Sequence, residues 1–218
     1  MLYTPAAFRE ADLPTMHDHI AACGLAMLVT ASEAGPLVSH LPLVLKKEAG
    51  PYGELVGHLA RPNPQWRDSD LSKPAVAVFM GPDAYISPSW YPSKKTNARV
   101  VPTWNYTVVH ARGRLEIFED ESGLRANVTD LTELHEGRFA APWAVTDAPD
   151  DFIQRMLGGI IGVRLVIEQL EGKAKLGQNR SEPDRQGTIA GLSASERDGD
   201  HQIAGLMRKS MAKAQVGS

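Results

Sequence analysis

The chain has 218 residues, a formal charge of −3, 43% hydrophobic residues and a single cysteine. That length suits one large domain or a domain with a helical appendage, and a chain of this size buries about 70% of its extended surface without disulfides. Cys23 has no second cysteine to bridge to, no run approaches the roughly 20 apolar residues of a membrane span, and the charge gives no general pull toward nucleic acid.

Thr4-Pro5 predicts a helix start with proline at its first position. Asp12-Leu13-Pro14 starts a second helix, carried to Ala22 and stopped near Gly24. Residues 25–30 and 37–45 then predict a hairpin turned at Gly35-Pro36. Residues 54–58 and 75–80 read as strands, and between them Asn63 caps a short helix with Pro64 first and Leu71 near its end. The longest strand candidate covers 104–119, where Thr107, Val109, Ala111, Gly113, Leu115 and Ile117 share the more apolar parity and are expected to face the core. Asp120 caps a helix in which Leu124, Val128, Leu131 and Leu134 recur at helical spacing. A short helix over 151–157 ends at Gly158-Gly159, and 160–170 returns as a strand rich in Ile and Val. From Ser181 onward the pattern predicts two helices separated near Asp198-Gly199-Asp200. The fold class expected is mainly β with peripheral helices, an antiparallel barrel spanning 1–180 and a helical tail over 181–218 packed on the barrel or on a dimer partner. A dinucleotide-binding α/β unit is a poor fit, since no Gly-x-Gly-x-x-Gly lies between a strand and a helix.

Two polar-aromatic clusters stand out from this β-rich background. The first runs from Gly81 through Tyr85, Ser87, Ser89, Trp90 and Tyr91 and resumes at Thr103-Trp104-Asn105-Tyr106; the second is 173–181, with Lys173, Lys175, Gln178, Asn179 and Arg180. Tryptophans beside Ser, Asn and Pro suggest flat surfaces with hydrogen-bonding edges, which suit a planar heteroaromatic ligand, and the cations suit an anionic tail on it. The competing reading is a rigid proline-shaped loop with Trp90 and Trp104 as core plugs. Arg61-Pro62-Asn63-Pro64-Gln65 is a candidate phosphate site at a capped helix start, or else an ordinary cap with surface arginines. The histidines form no zinc-like set: His17 and His19 diverge on a helix, and His40, His58 and His110 fall singly on strands. Cys23 sits at a helix end in an apolar setting that does not activate a thiol, and no Gly-x-Ser-x-Gly elbow is present, so any reactivity is expected from a cofactor.

These segments resemble the PaiB family of FMN-binding negative transcriptional regulators, within the flavin-binding split-barrel group. The likeness runs from Met1-Leu2-Tyr3-Thr4-Pro5 and Phe8 through Gly57-His58-Leu59-Ala60-Arg61, Tyr85 to Tyr91 and Val101 to Tyr106, and resumes at Gly172-Lys173, Gln178-Asn179-Arg180 and Asp184-Arg185. Gly177 stands where the family pattern has serine, and Pro62 where it has alanine. The resemblance implies an FMN-binding split β-barrel of Greek-key type, a homodimer, and FMN as cofactor at the subunit interface. It places Arg61, Asn63 and Gln65 near the phosphate and ribityl chain, and Val29, Thr30, Ser39 and His40 along the flavin. Trp90, Tyr91, Trp104 and Asn105 would form the other wall, with Lys175, Gln178, Asn179 and Arg180 closing the site near the N1–O2 edge.

Three functions stay open: a flavin-binding regulator, a flavin-dependent oxidoreductase of the pyridoxamine-phosphate-oxidase or flavin-reductase type, and a haem-binding split-barrel protein, which requires a His or Cys axial ligand. Residues 207–213 carry three cations without an acid, yet Asp184, Glu196, Asp198 and Asp200 dilute the tail's charge, so direct DNA binding is expected to be weak. The N-terminus has no basic stretch followed by an apolar core, and with one cysteine a cytoplasmic location is expected.

Overall fold

Side-chain caps and prolines start the helices, and alternating burial defines the strands. The computed structural model describes residues 2–216 and, for 213–216, the backbone only. Met1 of the N-terminal motif, the Lys213 side chain and the last two residues of the expected tail therefore lie outside the described residues.

After a 3₁₀ turn at Ala6–Phe8, the elements in chain order are β1 (Arg9–Glu10), α1 (Leu13–Ala22), β2 (Ala26–Ser32), β3 (Gly35–Leu41), β4 (Leu43–Lys46), β5 (Glu54–Ala60) and α2 (Gln65–Asp68). Then come β6 (Ala75–Ile86), α3 (Lys94–Asn97), β7 (Thr103–Phe118), α4 (Glu121–Glu136), α5 (Asp150–Leu157), β8 (Ile160–Lys175), α6 (Glu182–Ser193) and α7 (Asp198–Val216). The strands lie in the order β3-β2-β6-β7-β8-β5-β4, with β1 added on β8. The order is open, with β3 and β4 at its ends, and Pro36 sits on the end strand, where a missing N–H is tolerated.

The chain divides into two compact units. The first, here the sheet unit, comprises Asp12–Phe79 and Val109–Leu170. Its core gathers Leu28, Leu55, Phe79, Ala111, Leu165 and Ile167, the buried parity of their strands. β2 pairs antiparallel with β3 and β6, and β5 with β4 and β8. Strands β7 and β8 approach so closely at Gly113 that any Cβ there would overlap the Val166 carbonyl. A smaller core of Leu124, Val145, Ile153 and Leu157 lies under α4 and α5. The second, mixed unit comprises the N-terminal stretch through Ala11, Met80–Val108 and Glu171 onward. Ile86, Tyr91, Leu176, Leu192, Ile203 and Met207 form its core. β1 is registered on β8 with Arg9 opposite Lys173.

The mainly antiparallel, helix-flanked fold class is as expected, and several boundaries move. Asp12 caps α1 and Asp120 caps α4, their carboxylates accepting from Thr15 N and Gly123 N. In β7 the expected parity is buried at Thr107, Val109, Ala111, Gly113 and Leu115. The first expected helix is only a 3₁₀ turn. The hairpin turns two residues earlier, at Glu33-Ala34, because Ser32 and Gly35 are already a register pair. Its second strand breaks at Pro42, which has no N–H for the ladder. The Asn63 helix stops at Asp68 rather than near Leu71. β6 continues through Gly81-Pro82 to Ile86, where Ala84 and Ile86 are buried and Tyr85 is exposed, a period-two signal that the proline masked in the sequence. β8 likewise runs on to Lys175, and the break between the tail helices falls at 194–197, so that Asp198 begins α7.

Candidate functional site

In the sheet unit, the residues expected near phosphate form a polar knot. Asn63 Oδ1 accepts from Gln65 N at 2.9 Å and its Nδ2 donates to Ser39 Oγ at 2.8 Å. Gln65 is buried, and its Nε2 donates to Leu28 O, Thr30 Oγ1 and Leu37 O at 3.1, 3.0 and 3.3 Å. Its Oε1 has no partner among the described residues. Ser69 Oγ donates to Thr30 Oγ1 at 2.7 Å. Thr30, Ser39, Asn63 and Gln65 are thus brought together, while Val29 is half-buried and His40 exposed on the same hairpin. Arg61 is turned elsewhere. Its Nε donates to Gly158 O at 2.7 Å, Nη1 to Glu119 at 2.8 Å and Nη2 to Ile160 O at 3.1 Å. A helix of four residues also gives little macrodipole, so α2 offers less to an anion than its sequence suggests.

The histidines are structural in their contacts: buried His17 bonds Tyr52 O and His58 bonds Asn127 Oδ1, both at 2.9 Å. No group of three or more His, Cys, Asp or Glu able to hold a metal occurs among the described residues. Burial pushes the Cys23 thiol up. An open groove of about 440 Å³ in this unit is bordered by Lys73, Arg112, Arg114 and Glu168, with Arg114 paired to Glu116.

The mixed unit holds a tighter cavity of about 190 Å³. Tyr91, Asn105, Lys175, Asn179 and Arg180 from the expected set line it. Thr103, Arg185, Thr188, Phe8, Ile86 and Met207 complete the wall. Lys175 Nζ donates to Thr103 Oγ1 at 2.6 Å, and the Arg180 guanidinium lies 5.0 Å from the Tyr91 ring centroid. Burial holds the Lys175 ammonium below its ordinary value, with Lys173 and Arg180 adding to the effect and Tyr106 opposing it. Burial pushes the Tyr91 phenol up. Arg185 had drawn notice only within the Asp184-Arg185 motif; its position depends on α7, where Ser210 Oγ accepts from Nη2 at 3.4 Å.

Three expected residues stay off this cavity. Gln178 folds back on its own loop, accepting from Leu176 N at 2.7 Å and donating to Ala174 O at 2.6 Å. Trp90 packs on α6, where a Cβ at Gly191 would overlap the indole and one at Gly187 the Trp90 carbonyl. Trp104 is 48% exposed and stands edge-on to Tyr85, itself 43% exposed, with centroids 6.0 Å apart. A buried carboxylate of this unit, Asp184, accepts from Ser93 N at 3.1 Å and Ser93 Oγ at 2.8 Å.

The sequence profile of a family described as "Putative FMN-binding domain" matches residues 2–169. The chain belongs to this family. A Bacillus subtilis protein, "Protease synthase and sporulation protein PAI 2", is 31% identical over 212 residues, covering 97% of this chain and 99% of the relative, and bears out the PaiB likeness. An uncharacterized Emericella nidulans protein is 30% identical over 243 residues, covering 95% and 97%. Among solved structures, the conserved hypothetical protein Rv2991 of Mycobacterium tuberculosis matches with TM-score 0.58 at 13% identity, covering 83% of this chain and 95% of that one. The FAD and haem binding protein of Mycobacterium smegmatis matches with TM-score 0.56 at 17% identity, covering 81% and 78%. At these identities the structural matches establish the split-barrel fold alone.

FMN is the cofactor of the family, and the residues fit it as an open face rather than an enclosed pocket. Pockets that enclose ligands of such size run to about 300–1,000 Å³, above the cavity of about 190 Å³. Within the sheet unit Gln65 Oε1 is buried and unpartnered among the described residues, and within the mixed unit Tyr85 and Trp104 are exposed planar groups.

Proposed function

We propose that this protein is a dimeric, FMN-binding regulatory protein of the PaiB type, with each flavin held where two copies meet. The exposed Tyr85–Trp104 pair carries the reading: two large aromatics presented to solvent on β6 and β7 are what a partner copy and a planar ring would cover. In this reading Val29, Thr30, Ser39, His40, Asn63 and Gln65 border the ring from one copy. Trp90, Tyr91, Trp104 and Asn105 contribute from the other, and the 175–180 segment closes an edge. Arg61 acts through Glu119 and the carbonyls it holds, as a positioning residue. When bound, FMN supplies hydride and electron chemistry, while the chain holds, orients and shields it. The name of the Bacillus subtilis relative, which speaks of protease synthase and sporulation, is in keeping with a regulatory role. The acidic start of α7, with Asp198 and Asp200, supports control without tight direct DNA contact. No described helix is long and apolar enough to cross a membrane.

The oxidoreductase reading is second, favoured by the cationic cavity, whose Lys175, Arg180 and Arg185 suit a small anionic substrate. Absorption spectra and sedimentation of the purified protein, with FMN and then NADPH added, separate the two. Flavin bands on a dimer that stay unbleached by NADPH are expected. Rapid bleaching would move the oxidoreductase to the front, and a monomer without flavin would sink both. A nanomolar, sequence-selective gel shift at physiological salt would overturn the expectation of weak DNA binding.

A further inference from the structure

We infer that the cavity of the mixed unit is a binding site for a small organic carboxylate with a compact apolar body, a ligand other than the flavin ring. The inference rests on this cavity alone and not on the flavin reading. Lys175, Arg180 and Arg185 supply three cationic groups, and none of the lining residues carries a carboxylate. Arg185 Nε is buried with no hydrogen-bond partner among the described residues. A buried, unpartnered guanidinium N–H is costly unless an acceptor reaches it, and charged acceptors suit it best. Glu182, the acid that acts on Arg185, shares its helix, and Asp184 is occupied by Ser93. The internal anions thus leave that N–H unpaired.

The rest of the wall sets the body of the ligand. Phe8, Ile86 and Met207 give it an apolar side, and Met207 is buried to 1% exposure. A volume of about 190 Å³ compares with the roughly 150 Å³ apolar cavity that takes benzene. One six-membered ring or a short branched chain therefore fills it, with its carboxylate toward the arginines. Bare phosphate would leave the apolar side unused. Gly177 keeps the loop open: its φ of +74° is a left-handed conformation, and a Cβ there would sit 3.8 Å from Met207 Cε and 3.9 Å from Asn105 Nδ2.

Calorimetric titration of the full-length protein tests this, with and without saturating FMN, using benzoate, its neutral analogue benzyl alcohol and inorganic phosphate as probes. Benzoate is expected to bind, with benzyl alcohol about tenfold weaker or more, the loss of one charged hydrogen bond. Arg185→Met is expected to weaken benzoate by about tenfold while flavin absorbance per chain is unchanged. The wild-type comparison of probes stands even if a variant fails to fold. No benzoate binding, equal binding of the alcohol, preference for phosphate, or competitive displacement by FMN would each overturn the proposal; the last would assign the cavity to the flavin phosphate. Benzoate binding without any flavin band would uphold the cavity and sink only the flavin reading.

Discussion

The sheet unit and the mixed unit place their cationic side chains differently. In the sheet unit Arg61, Asn63, Thr30 and Ser39 spend their hydrogen bonds on one another, on Glu119 or on backbone carbonyls. In the mixed unit Lys175, Arg180 and Arg185 line a shared cavity, and Arg185 Nε joins Gln65 Oε1 of the sheet unit among the buried polar atoms without a hydrogen-bond partner. A polar motif in sequence therefore says little about function until its partners are known. Where they are supplied inside the chain, the motif holds structure; where they are missing, it marks a place for a ligand.

Substitutions sharpen this contrast. The largest effect is expected in the sheet unit, from Gly113→Ala. The new Cβ would meet the Val166 carbonyl, a backbone atom that cannot swing away, and a loss of about 3 kcal/mol or more should show in urea unfolding. In the mixed unit, Asp184→Ala strips the acceptor from Ser93 N and Oγ and should cost about 2–3 kcal/mol. Burial alone would raise the Asp184 carboxyl; the bonds from Ser93 and Ser181 and the Arg180 charge outweigh it and hold the group below its ordinary value. The unfolded chain then takes up the proton first. Stability from this group is full above about pH 4 and is lost as pH falls further, through its folded value. Asp184→Asn should flatten that acid limb, and an unchanged limb would place the clasp elsewhere.

Gly177→Ser, which restores the family residue, forces a side chain into the left-handed region and should cost about 1–2 kcal/mol. Thermal melts would check it, and a neutral result would show that this loop relaxes freely. The smallest effect is expected from Arg61→Ala, about 1 kcal/mol or less, because the pair with Glu119 is partly exposed. Flavin affinity should hardly move. A large loss of FMN binding with an unchanged melting temperature would return Arg61 to direct contact with the cofactor and blur the contrast between the units.

Local features of the fold were legible in the sequence. Asp12, Asp120 and Ser181 each cap a helix through the residue three positions on, so a short window contains the whole interaction. The buried parity of β7 is likewise a local pattern. The full extent of β6 was hidden because Gly81-Pro82 reads as a turn, whereas a neighbouring strand decides otherwise. Site residues were harder for the same reason. Arg61 meets Glu119, Gly158 and Ile160 across 58 to 99 positions, and Arg185 owes its setting to α7. Gln178 looked like a ligand contact and bonds within four residues of itself, a choice its composition does not reveal.

Trp90 offers an optical consequence. Its indole rests on the glycine face of α6, the helix that carries Arg185 and Thr188 into the cavity. Of the four tryptophans in the chain, it is the one whose surroundings are set by that helix. With Trp66, Trp104 and Trp143 replaced by phenylalanine, the emission of Trp90 becomes an intrinsic gauge of how α6 settles. Filling the cavity and loosening the helix could then be followed in the same cuvette, without a label.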